Sequence, residues 1–301
     1  MLIGSPHPAI DVFIILREAP LKLLAGINPY NTFYTYVFPT IIPDYYAYWP
    51  ASFILELPFI LIFNDPRILL ILADLASALL LFIMGGKNRT SLLLSLIYLF
   101  MPLSLGIIEA SWLTPLDFLL ICLIAFSVYK LKNSLLAGLL LGILTSVQFF
   151  FAALFIYLIR VLNWNKKFVF SFILTVSVFT LPYLFLDPAS FWKETVEVYF
   201  RNPPHPSLLI HTSLNLNTLF FNFTRFDLPS FLVYGLLAAI FLLTLLKKES
   251  ANNFILRFTL FLFSVFVLGR QGFVNYFYLV SSLIILQLAV SLHPDHYPQI
   301  P

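Results

Sequence analysis

The sequence predicts an all-α protein that crosses a membrane repeatedly. Of its 301 residues, 60% are hydrophobic and 10% are charged, with a mean hydropathy of +0.94, whereas soluble domains carry about 25% charged residues. The apolar runs are continuous, which excludes the short alternating strands of a membrane β-barrel. We therefore expect a single membrane domain, residues 1–301, built as a polytopic bundle of transmembrane helices with an interfacial, amphipathic N-terminal loop region.

The net charge and the cysteine content bear on two properties, nucleic-acid binding and disulfide formation. The net charge is +3 and the basic residues form no stripe, so we expect membrane lipids but no nucleic acid as a partner. The single cysteine, Cys122, lies inside an apolar run, so an internal disulfide is excluded.

About nine apolar runs between residues 68 and 292 predict membrane-spanning helices. A span needs about 20 residues, and several of these runs are shorter. The predicted spans are residues 68–85, 91–108, 116–130, 134–149, 151–163, 168–186, 229–246, 253–269 and 272–292. The remaining chain is expected to be an outer interfacial region (1–67), a large outer loop (187–228) and a cytoplasmic tail (293–301).

Lysine and arginine positions predict the orientation. They fall in alternate connections, which the positive-inside rule assigns to the cytoplasm: Lys87, Arg89, Lys130, Lys132, Arg160, Lys166, Lys167, Lys247 and Lys248. The intervening turns are polar or acidic and face outward, as do the residues before Ile68. This topology predicts a cell-membrane protein whose N-terminal segment and later polar loops share the extracytoplasmic face.

The segment 51–63 does not fit an ordinary crossing in that topology. It has about 13 residues and is interrupted by Glu56 and Pro58, and runs of about 10–14 residues are more often interfacial or re-entrant. We assign it to the outer interface or to a shallow re-entrant helix. If it crossed the membrane instead, Asp11 would lie inside.

The stretch from Asp11 to Pro50 concentrates the polar and aromatic residues of the N-terminal region. Apolar spacing predicts an amphipathic helix from Ile10 to Ala19. Pro20 is expected to end or kink it and to start a second short turn that Gly26 closes. The tyrosines and the tryptophan that follow have rings typical of a membrane–water boundary. We interpret this stretch as a loop on a membrane surface.

Several short motifs follow one another along the chain. They are Asp11 ahead of the amphipathic helix, LAGINPY (24–30), YYAYWP (45–50), EASWLTPLD (109–117), GLLLG (138–142) continuing to Gln148, and GRQGFVNY (269–276). Their order resembles that of the GT-C superfamily of membrane glycosyltransferases, most closely its mannosyltransferase-like bacterial and archaeal members. The resemblance covers essentially the whole chain and implies a GT-C-like fold.

The resemblance also implies an activity. Such an enzyme moves a hexose, mannose-like here, from a polyprenyl- or dolichyl-phosphate carrier to a hydroxyl of a glycan, lipid or protein acceptor on the outer face. Asp11 would be the general base of a one-step inverting displacement. The residues alone favour a simpler interpretation of Asp11, as a carboxylate that caps a helix start.

Substrate binding needs outward-facing cations, acids and polar rings near Asp11. The residues predicted for it are Arg17, Asn28, Tyr30, Asp44, Tyr46, Glu109, Asp117, Arg201, Arg225, Arg270, Gln271, Asn275 and Tyr276. Asp44, Glu109 and Asp117 would orient an acceptor or hold a metal, or are solvated loop carboxylates. We expect no organic cofactor, and the sequence is compatible with a bound divalent metal ion as well as with none.

The chain departs from the family in two places. Relatives have a transmembrane helix before the catalytic aspartate, so we expect this chain to lack the first one, and many have lysine where Gln148 stands. The alternatives are a non-catalytic membrane subunit and a lipid or solute transporter. A transporter would carry polar groups near the membrane midplane, where Asp74 is the main such residue; Asp74 is otherwise an acceptor for a neighbouring helix.

Overall fold

The computed structural model describes residues 2, 4–6, 8, 10–35, 45–197, 213–246, 253–269 and 272–292. Within these ranges the chain forms helices and turns and no β-strand. The predicted all-α class is therefore confirmed for this part of the chain.

The helices are numbered in chain order. They are α1 (Asp11–Leu24), α2 (Ala51–Phe63), α3 (Arg67–Met84), α4 (Arg89–Leu99), α5 (Ser104–Glu109), α6 (Thr114–Tyr129), α7 (Ser134–Val147), α8 (Ala153–Val161), α9 (Lys166–Leu186), α10 (Pro188–Trp192), α11 (Leu216–Thr224), α12 (Ser230–Leu246), α13 (Phe254–Leu268) and α14 (Val274–Ser291). A 3₁₀ turn (Phe149–Ala152) precedes α8, and a π turn (Lys193–Glu197) follows α10.

Three of the described helices are long and apolar enough to cross a membrane. They are α3, α9 and α14, with 18, 21 and 18 residues and mean hydropathies of 2.3, 2.1 and 1.6. The other predicted spans also contain helices, but these are shorter than 18 residues. The predicted span 91–108 is divided, because α4 ends at Leu99 and the separate helix α5 begins at Ser104. Pro102 lies between them and disfavours helical backbone at the residue before it.

Pro20 does not end helix α1, although an end there was one of the two predicted outcomes. The helix runs without interruption from Asp11 to Leu24, and Pro20 is buried inside it. The proline removes one backbone hydrogen bond, whereas the buried face of α1 packs along α2, and such packing supplies most of a helix's stability. The stop at Gly26 is as predicted: its φ is +74°, and Ile27 N donates to Lys22 O as in a Schellman motif.

Charge divides the helical assembly into two ends. The basic end holds Lys87, Arg89, Lys130, Lys132, Arg160, Lys166 and Lys167. There the Tyr129 ring, closing α6, lies 5.7 Å from the Phe254 ring, opening α13, and Arg160 donates to Leu245 O near the end of α12. The opposite end, called the acidic end, holds the described Asp and Glu residues apart from Asp74, which lies within α3. The acidic end also holds Arg17, Lys22, Arg67, Lys193 and Arg225. The positive-inside rule counts Lys and Arg alone, and more of the described ones lie at the basic end.

Both flanks of α2 contact the acidic end. Before α2, Trp49 N donates to Val147 O at the end of α7. After α2, Asp65 pairs with Arg67 at the start of α3. A helix whose two flanks lie at one end of the assembly is consistent with the interfacial position predicted for residues 51–63.

Helices α7 and α9 approach each other closely, and two glycines allow it. A Cβ added to Gly138 would clash with Ser171 Oγ, and one added to Gly142 would lie 2.6 Å from Thr175 Cβ. Small residues four apart on one face let two helix backbones approach closely.

Candidate functional site

Asp11 occupies the first turn of α1 at the acidic end. Its Oδ1 accepts a hydrogen bond of 2.8 Å from Val12 N, and its side chain is half-buried. The preceding residue, Ile10, offers no side-chain cap, so the carboxylate sits where the helix dipole stabilises negative charge. This position suits a carboxylate that stabilises the start of the helix. It also suits a general base that contacts a substrate.

Tyr30 and Tyr46 come together in an aromatic cluster beside α1. Their ring centroids are 5.7 Å apart, and Tyr30 also meets Tyr183 at 5.6 Å and Phe191 at 5.1 Å. The Tyr30 hydroxyl donates to Tyr48 O, and the Tyr46 and Ser52 hydroxyls are 2.8 Å apart.

These two rings are packed against protein, and their predicted place at a membrane–water boundary stays a prediction. Tyr30 is 3% exposed and Tyr46 is fully buried, because the loop folds back between α2, the end of α9 and α10. Burial raises the pKa of both phenols well above its usual value, so both stay neutral hydrogen-bonding groups. Their role as substrate contacts stays a prediction.

The loop after α1 is tied to its neighbours by polar contacts. Asn28 Oδ1 accepts from Tyr30 N, and Asn31 Nδ2 donates to Asp187 Oδ2 at 3.0 Å. Glu18 accepts from Thr35 N at 3.0 Å, and the Lys22 ammonium lies 5.4 Å from the Tyr34 ring. Asn28, predicted to bind substrate, therefore also orders its own turn.

Arg67 is the residue of this end that the sequence interpretation missed. Its side chain is fully buried, with Nη2 2.7 Å from Asp65 Oδ2 and Nη1 3.2 Å from Glu109 Oε2. Nη1 also donates to Ser5 O, and the guanidinium lies 5.1 Å from the Phe13 ring. A lone arginine opening an apolar run was the available signal. Glu109, a predicted substrate ligand, is held by Arg67.

A second polar group lies where α6, α7 and α14 meet. Gln148 Nε2 donates to Asp117 Oδ2 at 2.8 Å, and Tyr276 lies within electrostatic reach of Asp117. Within the described part of the chain, Asp117 Oδ1, Asn275 Oδ1 and Trp49 Nε1 are buried and have no hydrogen-bond partner. Two predicted residues, Asp117 and Tyr276, thus lie near each other, and Gln148, which had no predicted role in binding, is bonded to Asp117.

An apolar pocket of about 220 Å³ opens beside this second group. It lies between the 3₁₀ turn and the acidic-end parts of α11 to α14. Its wall is mainly aromatic and aliphatic, including Phe149, Phe150, Val233, Leu237, Val265, Phe266 and Tyr276, with Asn217 and Ser230 as polar members. Asn217 is itself fixed, because it donates to Asp227 and accepts from Leu228 N.

Arg17 and Arg225 are the predicted phosphate-binding cations that the structure describes. Arg17 is 3.8 Å from Glu18 on α1. Lys193, another cation of the predicted outer loop, is 3.3 Å from Glu194. Arg225 ends α11 with a left-handed φ of +64° and is exposed. Four predicted site residues lie outside the described residues: Asp44, Arg201, Arg270 and Gln271.

Asp74 has a partner from a neighbouring helix. The Tyr98 hydroxyl of α4 donates to Asp74 Oδ1 at 2.5 Å, and the Tyr278 ring lies 6.2 Å from that of Tyr98. Asp74 therefore accepts a hydrogen bond from a neighbouring helix, which is the role expected of it if the protein is not a transporter.

Among the described residues, no three His, Cys, Asp or Glu side chains are grouped to hold a metal ion. In comparison with known proteins, the chain matches no family model and no curated sequence.

Proposed function

We propose that this protein is a multi-pass membrane glycosyltransferase with a GT-C-like bundle. It moves a mannose-like hexose from a polyprenyl-phosphate carrier to an acceptor hydroxyl on the extracytoplasmic face. The observation that carries the proposal is that a half-buried carboxylate, Asp11, and an apolar pocket of about 220 Å³ lie at the same, acidic end of an apolar helical assembly. A lipid-linked sugar needs both an apolar site for its chain and a polar site for its headgroup.

The reaction is a single displacement. Asp11 takes the proton of the acceptor hydroxyl while the hydroxyl oxygen bonds to the anomeric carbon of the sugar. The bond between the anomeric carbon and the phosphate oxygen breaks, and the lipid phosphate leaves with that electron pair. A positioned general base contributes about 10²- to 10⁴-fold to such a step. Cations at this end stabilise the leaving phosphate; Arg17 and Arg225 are the described residues we assign to this role, and Arg201 and Arg270 are further predicted ones.

The test is sugar transfer by purified protein in liposomes that contain a radiolabelled polyprenyl-phosphate hexose. Asp11→Asn should lower the transfer rate by about 10²-fold or more, with melting temperature unchanged. Glu18→Gln is the matched control, because it changes an acid to an amide on the same helix while keeping the acceptor for Thr35 N. Transfer by Asp11→Asn at the parent rate would remove Asp11 as the base. Absence of transfer by the parent protein from every such donor would overturn the activity itself.

A further inference from the structure

Arg67 contacts the chain on both sides of Asp11. Its Nη1 donates to the backbone oxygen of Ser5 at 2.8 Å, and its guanidinium lies over the ring of Phe13, the residue two positions after Asp11. The remaining contacts are with Asp65, through Nε and Nη2, and with Glu109, through Nη1. One buried side chain therefore joins the segment before α1, the first turn of α1, the α2–α3 turn and the end of α5.

The hydrogen bonds of this guanidinium are nearly saturated. Arginine has five N–H donors in a rigid fork, and four of them are used by Asp65, Ser5 and Glu109. Two carboxylates already face the single positive charge, so an incoming phosphate would meet net negative charge there. Arg67 is therefore unsuited to binding the donor directly.

We propose that Arg67, with Asp65 and Glu109, is a positioning device that holds the start of α1, and with it Asp11, at a fixed place on the acidic end. The catalytic consequence of this positioning rests on the proposed function, whereas the positioning of α1 by Arg67 does not. The planar fork matters because two acids and a carbonyl on three different segments are held at once, which a lysine cannot reproduce.

The positional test needs no activity. Asp11→Cys, labelled with a thiol-reactive probe in the membrane-embedded protein, reports the accessibility of position 11; Cys122 is buried and serves as an internal background. Adding Glu109→Gln or Asp65→Asn, each of which keeps an acceptor and removes a charge, should raise the labelling rate by about threefold or more. Glu18→Gln, which lies on α1 outside the Arg67 contacts, should leave the rate unchanged. Equal rates in all of these variants would overturn the proposal.

The kinetic test separates positioning from substrate binding. With Asp11 intact, Glu109→Gln should lower kcat by about tenfold and leave KM within about twofold, because the base is misplaced while binding is retained. A raised KM with unchanged kcat would instead make Glu109 a substrate ligand and overturn the positioning role.

Two further results separate the failure of the positioning proposal from a folding defect and from the failure of the proposed function. If Glu109→Gln does not fold, Arg67→Lys, which keeps the charge and loses the fork, replaces it in the labelling test, and an unchanged rate there also overturns the proposal. If labelling changes as expected while the parent protein transfers no sugar, the proposed function fails and the positioning of α1 by Arg67 stands.

Discussion

Gln148 donates a 2.8 Å hydrogen bond to Asp117 Oδ2 and so joins the end of α7 to the first turn of α6. Asp117 is 2% exposed, and no residue that the structure describes forms a hydrogen bond with its other oxygen. A buried polar group that loses its partner keeps the full cost of having left water. The stability of this corner of the acidic end therefore depends on one side-chain amide.

Replacing Gln148 by leucine should destabilise the protein by about 1 to 3 kcal/mol, because Asp117 is then buried without this donor. The measurement is chemical unfolding in detergent micelles. The matched control is Asn31→Leu, which removes an amide donor to a carboxylate at an exposed site and should cost about 0.5 kcal/mol or less. Equal losses in the two variants would contradict the assignment of Asp117 as a buried, singly bonded carboxyl.

Asp74 and Tyr98 support a second prediction, in the interior of the helical assembly. Tyr98→Phe removes the hydroxyl that donates to Asp74 across α3 and α4 and should cost about 1 to 3 kcal/mol. Combining it with Asp74→Leu should recover much of that loss, since neither polar group then remains buried. Unfolding of both single variants and the double variant gives the coupling energy. Strictly additive losses would refute a direct bond between the two residues.

The positions of the helices were largely predictable, because long apolar runs and local stop signals determine them. Residues 51–63 form one helix as the sequence indicated, and Gly26 ends α1. Pro20 does not end α1, because packing against α2 outweighs one lost backbone hydrogen bond. That contact is tertiary and leaves no mark in the local pattern around residue 20.

The site was only partly predictable, for a related reason. Sequence spacing identified Glu109 as an acid at the acidic end, but its partner, Arg67, lies 42 positions away and no local spacing connects them. Tyr30 and Tyr46 were recognised as important rings but assigned to the membrane boundary. Their burial depends on how the loop folds against α9 and α10, and a tyrosine's amphipathic ring suits either environment.

The glycines of α7 support a third prediction. Gly142→Ala would bring a methyl group within 2.6 Å of Thr175 Cβ on α9 and should destabilise the protein by about 1 to 3 kcal/mol through overpacking. Gly235→Ala in α12 is the control: its added Cβ meets nothing within 4 Å, so it should stabilise by about 0.5 to 1 kcal/mol through lower unfolded-state entropy. Thermal melting of the two variants should therefore shift in opposite directions. A shared direction would exclude close packing of α7 on α9.

Asp187 supports a prediction about pH. Hydrogen bonds from Ser190, and from Asn31, lower the pKa of the Asp187 carboxyl below its usual value. Since the folded-state pKa is depressed, the stabilisation is present above the unfolded-state pKa of about 3.9 and is lost as pH falls through the lower, folded-state value. Asp187→Ala should therefore lower the melting temperature at neutral pH, and the difference from the parent should shrink on acidification below about pH 4. A difference that stays constant with pH would contradict an ionised Asp187 at this contact.

The apolar pocket supports the last prediction, which tests where the lipid chain lies. Val233 is buried in the pocket wall, whereas Leu242, on the same helix, is 60% exposed. If the pocket takes the carrier chain, Val233→Trp should raise KM for a long-chain polyprenyl-phosphate hexose by about tenfold while leaving kcat unchanged, because it removes binding that the ground state and transition state share. A donor with one or two prenyl units, too short to fill the pocket, should be affected far less, and Leu242→Trp should affect neither donor. Because each variant is compared with itself on two donors, a general loss of folded protein cancels, and an equal KM change for the two donors would mean that the chain lies elsewhere.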